Sequence, residues 1–200
     1  MADRSSRSST WPRLKLRYAA GSGAHPIWRQ AACAELGNDI ALVGPFVDDL
    51  LADCVTGLGL EGADQLRIAL RELITNAIEH GNLGLSYADK SSLLASGLFK
   101  QELERRRAEA DREGRTVEVW VRRSDEAVMI QIRDAGVGFD WRGLPDPRAP
   151  VDILDDHGRG ILLARLSVDH LEFNEAGNQV TIIKRIADRA AIAGKNARGG

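Results

Sequence analysis

Apolar positions recur at helical spacing along Leu66, Ala69, Leu70, Leu73, Ile74, Ala77 and Ile78, which predicts an amphipathic helix from about Asp64 to the His80-Gly81-Asn82 turn. A second apolar face, Leu42, Val43, Phe46, Val47, Leu50, Leu51 and Val55, predicts a helix from Asp39 to about Leu58, with Gly37-Asn38-Asp39 as turn and N-cap. Ala31–Leu36 reads as a first strand. Leu83 to Gly114 forms a third helical region, in which Gly97 is a weak point. The period then changes from helical to twofold. Thr116–Arg122 and Ala127–Arg133 alternate around Arg123-Ser-Asp-Glu126 and predict a hairpin. Leu171–Phe173 and Gln179–Arg185 predict a second hairpin around residues 174–178. A Gly/Pro/Asp-rich loop from Gly136 to Gly160 and a helix at Ile161–Ser167 lie between the two. Helices on one face of a mixed, mostly antiparallel sheet make this an α+β two-layer sandwich.

Composition fits that picture. The chain is 44% hydrophobic and 28% charged with a formal net charge of -2, ordinary values for a globular domain. That charge gives no general nucleic-acid signal, since phosphate neutralisation needs a basic surface. No apolar run is long enough to span a membrane, and the N-terminus lacks the apolar core of a secretory signal. Cys33 and Cys54 lack metal-ligand spacing and read as reduced thiols, so a cytoplasmic setting is expected. Residues 1–28 read as a flexible basic, Ser-rich tail, 29–187 as one domain with a charged helical insert at about 86–115, and 188–200 as a second tail. Within the insert, Gln101 to Glu113 alternates in sign. The default reading is a solvated helix face laced with ion pairs, and the sharper one is an arm that binds a partner.

Candidate chemistry interrupts the pattern at three places. Glu72, Asn76 and His80 follow one another one turn apart along the edge of the long helix, with Glu79 beside them. Asp134-Ala-Gly136-Val-Gly138-Phe139 follows a strand directly, so that an acid ends the strand and glycines let the backbone pass close to a flat ring. His157-Gly158-Arg159-Gly160 opens a helix, where free N–H groups and the helix dipole favour an anion. Each segment alone has an ordinary reading as solvated edge, turn or plain loop. Their order is what carries information.

Glu72-x-x-x-Asn76-Ala-x-x-His80-Gly81, then Asp134-x-Gly136-x-Gly138-Phe139, then Gly158-x-Gly160 before a helix, resembles the GHKL (histidine-kinase-like) ATPases with their Bergerat fold. The segment Glu72-Leu-Ile-Thr-Asn76-Ala-Ile-Glu79-His80-Gly81-Asn82 is most similar to the anti-sigma-factor serine/threonine kinases of bacterial partner switching. The resemblance spans about Ala31 to Ile186. It implies ATP and Mg²⁺ as cofactors, with Asn76 as metal ligand and Glu72 as general base. It also implies Asp134 as acceptor for the adenine amine. Gly136 and Gly138, with Phe139 beside them, would be cofactor-binding. Gly158, Arg159 and Gly160 would line the phosphates, and Thr181 would join Asp134 around the adenine through water. His80 is expected to have a structural role. Glu79 stands where sensor histidine kinases often carry a basic phosphate contact, which leaves Arg159 to compensate. The implied partners are a sigma factor or similar regulator and an anti-sigma antagonist as phosphoacceptor. The resemblance also allows a homodimer, with no direct nucleic-acid or membrane contact. The alternative is a nucleotide-dependent binding module without phosphotransfer.

Overall fold

The computed structural model describes residues 17–19, 30–54, 57–143 and 159–186. Among the described residues six strands form one sheet in the order β1-β2-β3-β4-β6-β5: β1 (Arg17–Ala19), β2 (Gln30–Leu36), β3 (Val117–Arg123), β4 (Ala127–Arg133), β5 (His170–Phe173) and β6 (Gln179–Arg185). All five pairings are antiparallel, where the sequence left room for a mixed sheet. Val117, Val119, Val121, Val128, Ile130, Ile132, Val180 and Ile182 point into the core, which is the twofold alternation realised as one covered face. Helices α1 (Val43–Cys54), α2 (Gly59–Asn76) and α5 (Arg159–Ser167) supply the second layer, and their buried residues join the sheet residues in a single hydrophobic cluster.

Both hairpin turns are held by a side chain. Ser124 Oγ accepts from the N–H groups of Glu126 (3.1 Å) and Ala127 (3.0 Å). Asn174 Oδ1 accepts from Gly177, Asn178 and Gln179 N–H groups at 2.8, 3.1 and 3.2 Å, and Gly177 takes the positive φ of 80° that this turn needs.

Several boundaries differ from the sequence reading. Arg17–Ala19 is a strand on β2, within the segment expected to be a tail; the rest of residues 1–28, and residues 188–200, lie outside the described residues. The first helix opens with a 3₁₀ turn at Ile40–Leu42, capped by Asp39 Oδ1 accepting from Ala41 N–H (3.1 Å). Helix α2 starts at Gly59, not near Asp64. The insert is a helical hairpin, α3 (Tyr87–Ala95) and α4 (Phe99–Arg112). Gly97 turns between them at φ +71°, and Ser86 with Asp89 forms a capping box at the start of α3. The charged face of α4 carries the expected pairs: Glu102 with Arg105 and Arg106, and Arg105 with Glu109.

The largest difference is at the end of α2. The helix does not stop at the His80-Gly81 turn but widens into a π-helix over Ala77–Asn82, with Leu83 N–H donating to the Ile78 carbonyl five residues back at 2.9 Å. Wide turns of this kind re-aim the side chains that follow. His80 Nδ1 donates to the Leu85 carbonyl at 2.5 Å, so this side chain ties down the exit of the turn.

Candidate nucleotide site

Two ends of a site are built around α2 and its π turn. At the first, Gly160 in the opening turn of α5 lies against α2. A methyl group on Gly160 would stand 2.5 Å from Glu72 Oε2 and 3.6 Å from Asn76 Nδ2. The Asn76 amide nitrogen is buried and has no hydrogen-bond partner among the described residues. Buried amides are nearly always paired, so an orphaned one beside a carboxylate and a helix N-terminus marks a place for a ligand. Helices α2 and α5 run against each other along their length, and Lys184 Nζ closes the other end by donating to Gln65 Oε1 (2.6 Å) and the Ser167 carbonyl (3.1 Å). Arg159 is exposed at the start of α5. Gly158 lies outside the described residues.

At the second end, the π turn meets the end of β4. A methyl group on Gly81 would overlap the Asp134 carboxyl, and one on Gly136 would come within 2.6 Å of the Gly81 carbonyl oxygen. Asp134 Oδ1 accepts from Gly136 N–H at 2.8 Å, and an ionised carboxylate has acceptor capacity beyond one such bond. Burial raises the Asp134 carboxyl to about 6, against the lowering effect of the Gly136 and Asp134 N–H groups. It is therefore ionised near neutrality and desolvated, a strong acceptor for an exocyclic amine.

Gly138 and Phe139 are held by the β5–β6 turn. Gly138 has φ +83°, and a methyl group there would run into the Ala176 carbonyl oxygen. Phe139 packs edge-on to Phe173 at 5.2 Å between centroids, and Trp141 stacks on Phe173 at 6.3 Å. Trp141 Nε1 donates to the Asn174 carbonyl at 2.8 Å. This aromatic cluster fixes the loop that leaves Asp134.

One expectation needs correction. Thr181 does not reach the site. It alternates with buried Val180 and Ile182, pairs with Gln131 across the sheet, and its Oγ1 accepts from Gln131 Nε2 at 3.2 Å, all on the face turned away from the helices. Asn178 stands beside Asp134 instead: its carbonyl accepts from Asp134 N–H (3.0 Å) and its Nδ2 donates to the Gly136 carbonyl (3.3 Å). Glu79 is buried and ion-paired with Lys90 of α3 at 2.7 Å. Gly81, Asn82 and Asn178 were the residues that sequence reasoning did not single out, although the His80-Gly81-Asn82 motif contained the first two.

The donor set suits Mg²⁺ held together with phosphates. No group of three or more His, Cys, Asp or Glu able to hold a metal occurs among the described residues. A hard cation that keeps water and phosphate oxygens needs few protein ligands, and the orphaned Asn76 amide, rotated by half a turn, offers one oxygen.

No helix among the described residues is long and apolar enough to cross a membrane. No curated protein matches the chain significantly. Residues 105–184, from α4 to β6, match the model of the histidine kinase-like ATPase domain. The matched stretch contains Asp134 and Gly160; Glu72 and Asn76 are brought to it by the fold. The match covers 80 of the chain's 200 residues and is a likeness over that stretch.

Proposed function

We propose that the chain is an ATP-dependent serine/threonine protein kinase of the anti-sigma-factor type. It would phosphorylate an anti-sigma antagonist in the bacterial cytoplasm and bind a sigma factor or similar regulator. The observation that carries this reading is the meeting of Gly160, Glu72 and the unpartnered Asn76 amide at the N-terminus of α5.

The roles follow from what each group can do. Asp134 accepts from the adenine amine with the acceptor capacity that the Gly136 N–H leaves over. The N–H groups of the first turn of α5 are aimed at anionic oxygens and hold the phosphates. Gly160 has no side chain, so those oxygens approach the backbone beside Glu72. Bound Mg²⁺, with Asn76 Oδ1 as its protein ligand, would supply charge neutralisation on the phosphates. The acceptor hydroxyl oxygen attacks the γ-phosphorus, the bond to the β–γ bridging oxygen breaks, the hydroxyl proton passes to Glu72, and ADP leaves.

Labelled ATP, incubated with the full chain and candidate antagonists, tests the reading. A phosphoprotein should form, and Glu72→Ala should abolish it while nucleotide still binds. Nucleotide binding with no transfer to any antagonist, and partner signalling indifferent to Glu72→Ala, would instead mean a nucleotide-dependent binding module. Undiminished Mg²⁺-dependent ATP binding in both Asn76→Ala and Asp134→Ala would overturn the site itself.

A further inference from the structure

Asn82, the last residue of the π turn, is 1% exposed, and Asn38, before the first helix, is 2% exposed. Their amides form a chain. Asn82 Oδ1 accepts from Ala135 N–H at 2.8 Å, and Asn82 Nδ2 donates to Asn38 Oδ1 at 2.8 Å. Asn38 Nδ2 donates in turn to Asp111 Oδ1 on α4 at 3.1 Å and to the Arg115 carbonyl at 2.8 Å. Arg115 closes the ring by donating from Nη1 to the Asn82 carbonyl at 2.9 Å.

The chain has only one sense. Ala135 N–H can only donate, so Asn82 must turn its oxygen to it and its nitrogen to Asn38. Asn38 must then present its oxygen to Asn82 and its nitrogen to a carboxylate and a carbonyl, both acceptors. Neither amide can flip without setting like atoms against each other in a site closed to water, where the penalty is large. The peptide at its receiving end joins Asp134 to Ala135, and the next N–H, that of Gly136, holds Asp134 Oδ1. The carboxylate at its far end belongs to the insert.

We propose that Asn82 is a positioning residue for the adenine-binding loop, and that Asn38 and Asp111 transmit the seating of α4 to it, so that displacing the insert lowers affinity for the adenine part of a nucleotide. This rests on the reading of Asp134 as the adenine acceptor. The link gives the charged insert a role beyond solvation: a partner that pulled on α4 would loosen the base and leave the phosphate end untouched.

Calorimetry on the full chain tests it, with ADP and Mg²⁺–tripolyphosphate as separate ligands and thermal unfolding as the control for folding. Asn82→Ala should weaken ADP by roughly tenfold or more, the scale of a lost buried hydrogen bond, and leave tripolyphosphate unchanged. Asp111→Ala, on the insert, should weaken ADP several-fold with the same indifference to tripolyphosphate, and Asp111→Asn, which keeps an oxygen for Asn38, should restore ADP binding. If Asn82→Ala does not fold, the two Asp111 variants decide. A folded Asp111→Ala with wild-type ADP affinity overturns the inference, as does an equal loss of both ligands, which is the mark of general structural damage. A wild-type chain that binds tripolyphosphate but no adenine nucleotide would instead remove the underlying assignment of Asp134, and the inference with it.

Discussion

Gly81 faces the Asp134 carboxyl with no room for a methyl group between them. The contact joins the end of the long helix to the end of a central strand, and so fixes the distance between the two halves of the site. One half, Glu72 and Asn76, is in the body of α2. The other hangs on β4, and the π turn brings the helix backbone against it.

That closeness predicts the effect of Gly81→Ala. The added methyl must displace the Asp134 side chain or the π turn, and overpacking of this kind typically costs about 1–3 kcal/mol. Adenine-nucleotide affinity should fall toward the level expected of Asp134→Ala, since the carboxylate loses its place. Thermal unfolding and calorimetric titration of the same variant measure both effects. Wild-type affinity in a stable Gly81→Ala protein would show that Asp134 has room the structure does not give it.

Much of this site could be read from the sequence, and the gaps have physical causes. The apolar faces of α1 and α2 and the alternation in β3, β4 and β6 follow directly from burial on one side. The start of α2 at Gly59 was hidden because Leu60 is exposed and breaks the apolar period. β1 was hidden because three residues in a Ser- and Gly-containing stretch become a strand only by pairing with β2. The π turn leaves no trace in the apolar pattern, because Ala77 and Ile78 are buried under either hydrogen-bond scheme. Thr181 is the instructive miss. The alternation Val180-Thr181-Ile182 already placed it on the outer face; the family resemblance, not the pattern, put it beside the adenine.

Asp134 predicts a pH dependence. Its folded carboxyl is raised from 3.8 to about 6 by burial, so between those values the folded chain holds a proton that the unfolded chain has lost. The stability it contributes is therefore full below pH 3.8 and is lost as pH rises through about 6. Binding runs the opposite way, because the adenine amine needs the ionised acceptor. ADP affinity should rise as pH is raised through about 6 and level off above it. Asp134→Asn should remove that step. Titrations across this range in wild type and variant check it, and an identical step in the variant would assign it to another group.

Gly160→Ala separates binding from chemistry. Its methyl would stand 2.5 Å from Glu72 Oε2, but that atom ends a flexible side chain and can swing aside. The fold should survive with a change of less than about 1 kcal/mol in stability, since alanine favours the helix that glycine weakens. Phosphotransfer should fall strongly, because Glu72 is moved and the phosphate approach is narrowed. Adenosine, which lacks phosphates, should bind as to wild type. A variant that transfers phosphate at the wild-type rate would remove Glu72 from the reaction path.

Glu79 and Lys90 make the last case, because their effects should depend on which partner is removed. The Glu79 side chain is 8% exposed and the Lys90 side chain 35%, with 2.7 Å between their charged atoms. Lys90 also lies 5.8 Å from the Phe99 ring centroid, so its ammonium is held by a carboxylate and an aromatic face at once. Removing Lys90 leaves a buried carboxylate without its cation, whereas removing Glu79 leaves a lysine that can reach water. Lys90→Met should therefore cost about 2–4 kcal/mol, toward the range for breaking a buried pair but reduced by the exposure of the lysine. Glu79→Leu should cost less. Lys90→Met combined with Glu79→Leu should recover part of the loss, since an apolar pair in the same volume avoids the desolvation of both charges. Urea unfolding of the four proteins gives the coupling between the two positions directly. Single-variant effects that simply add would mean that the pair does not hold α3 against the π turn.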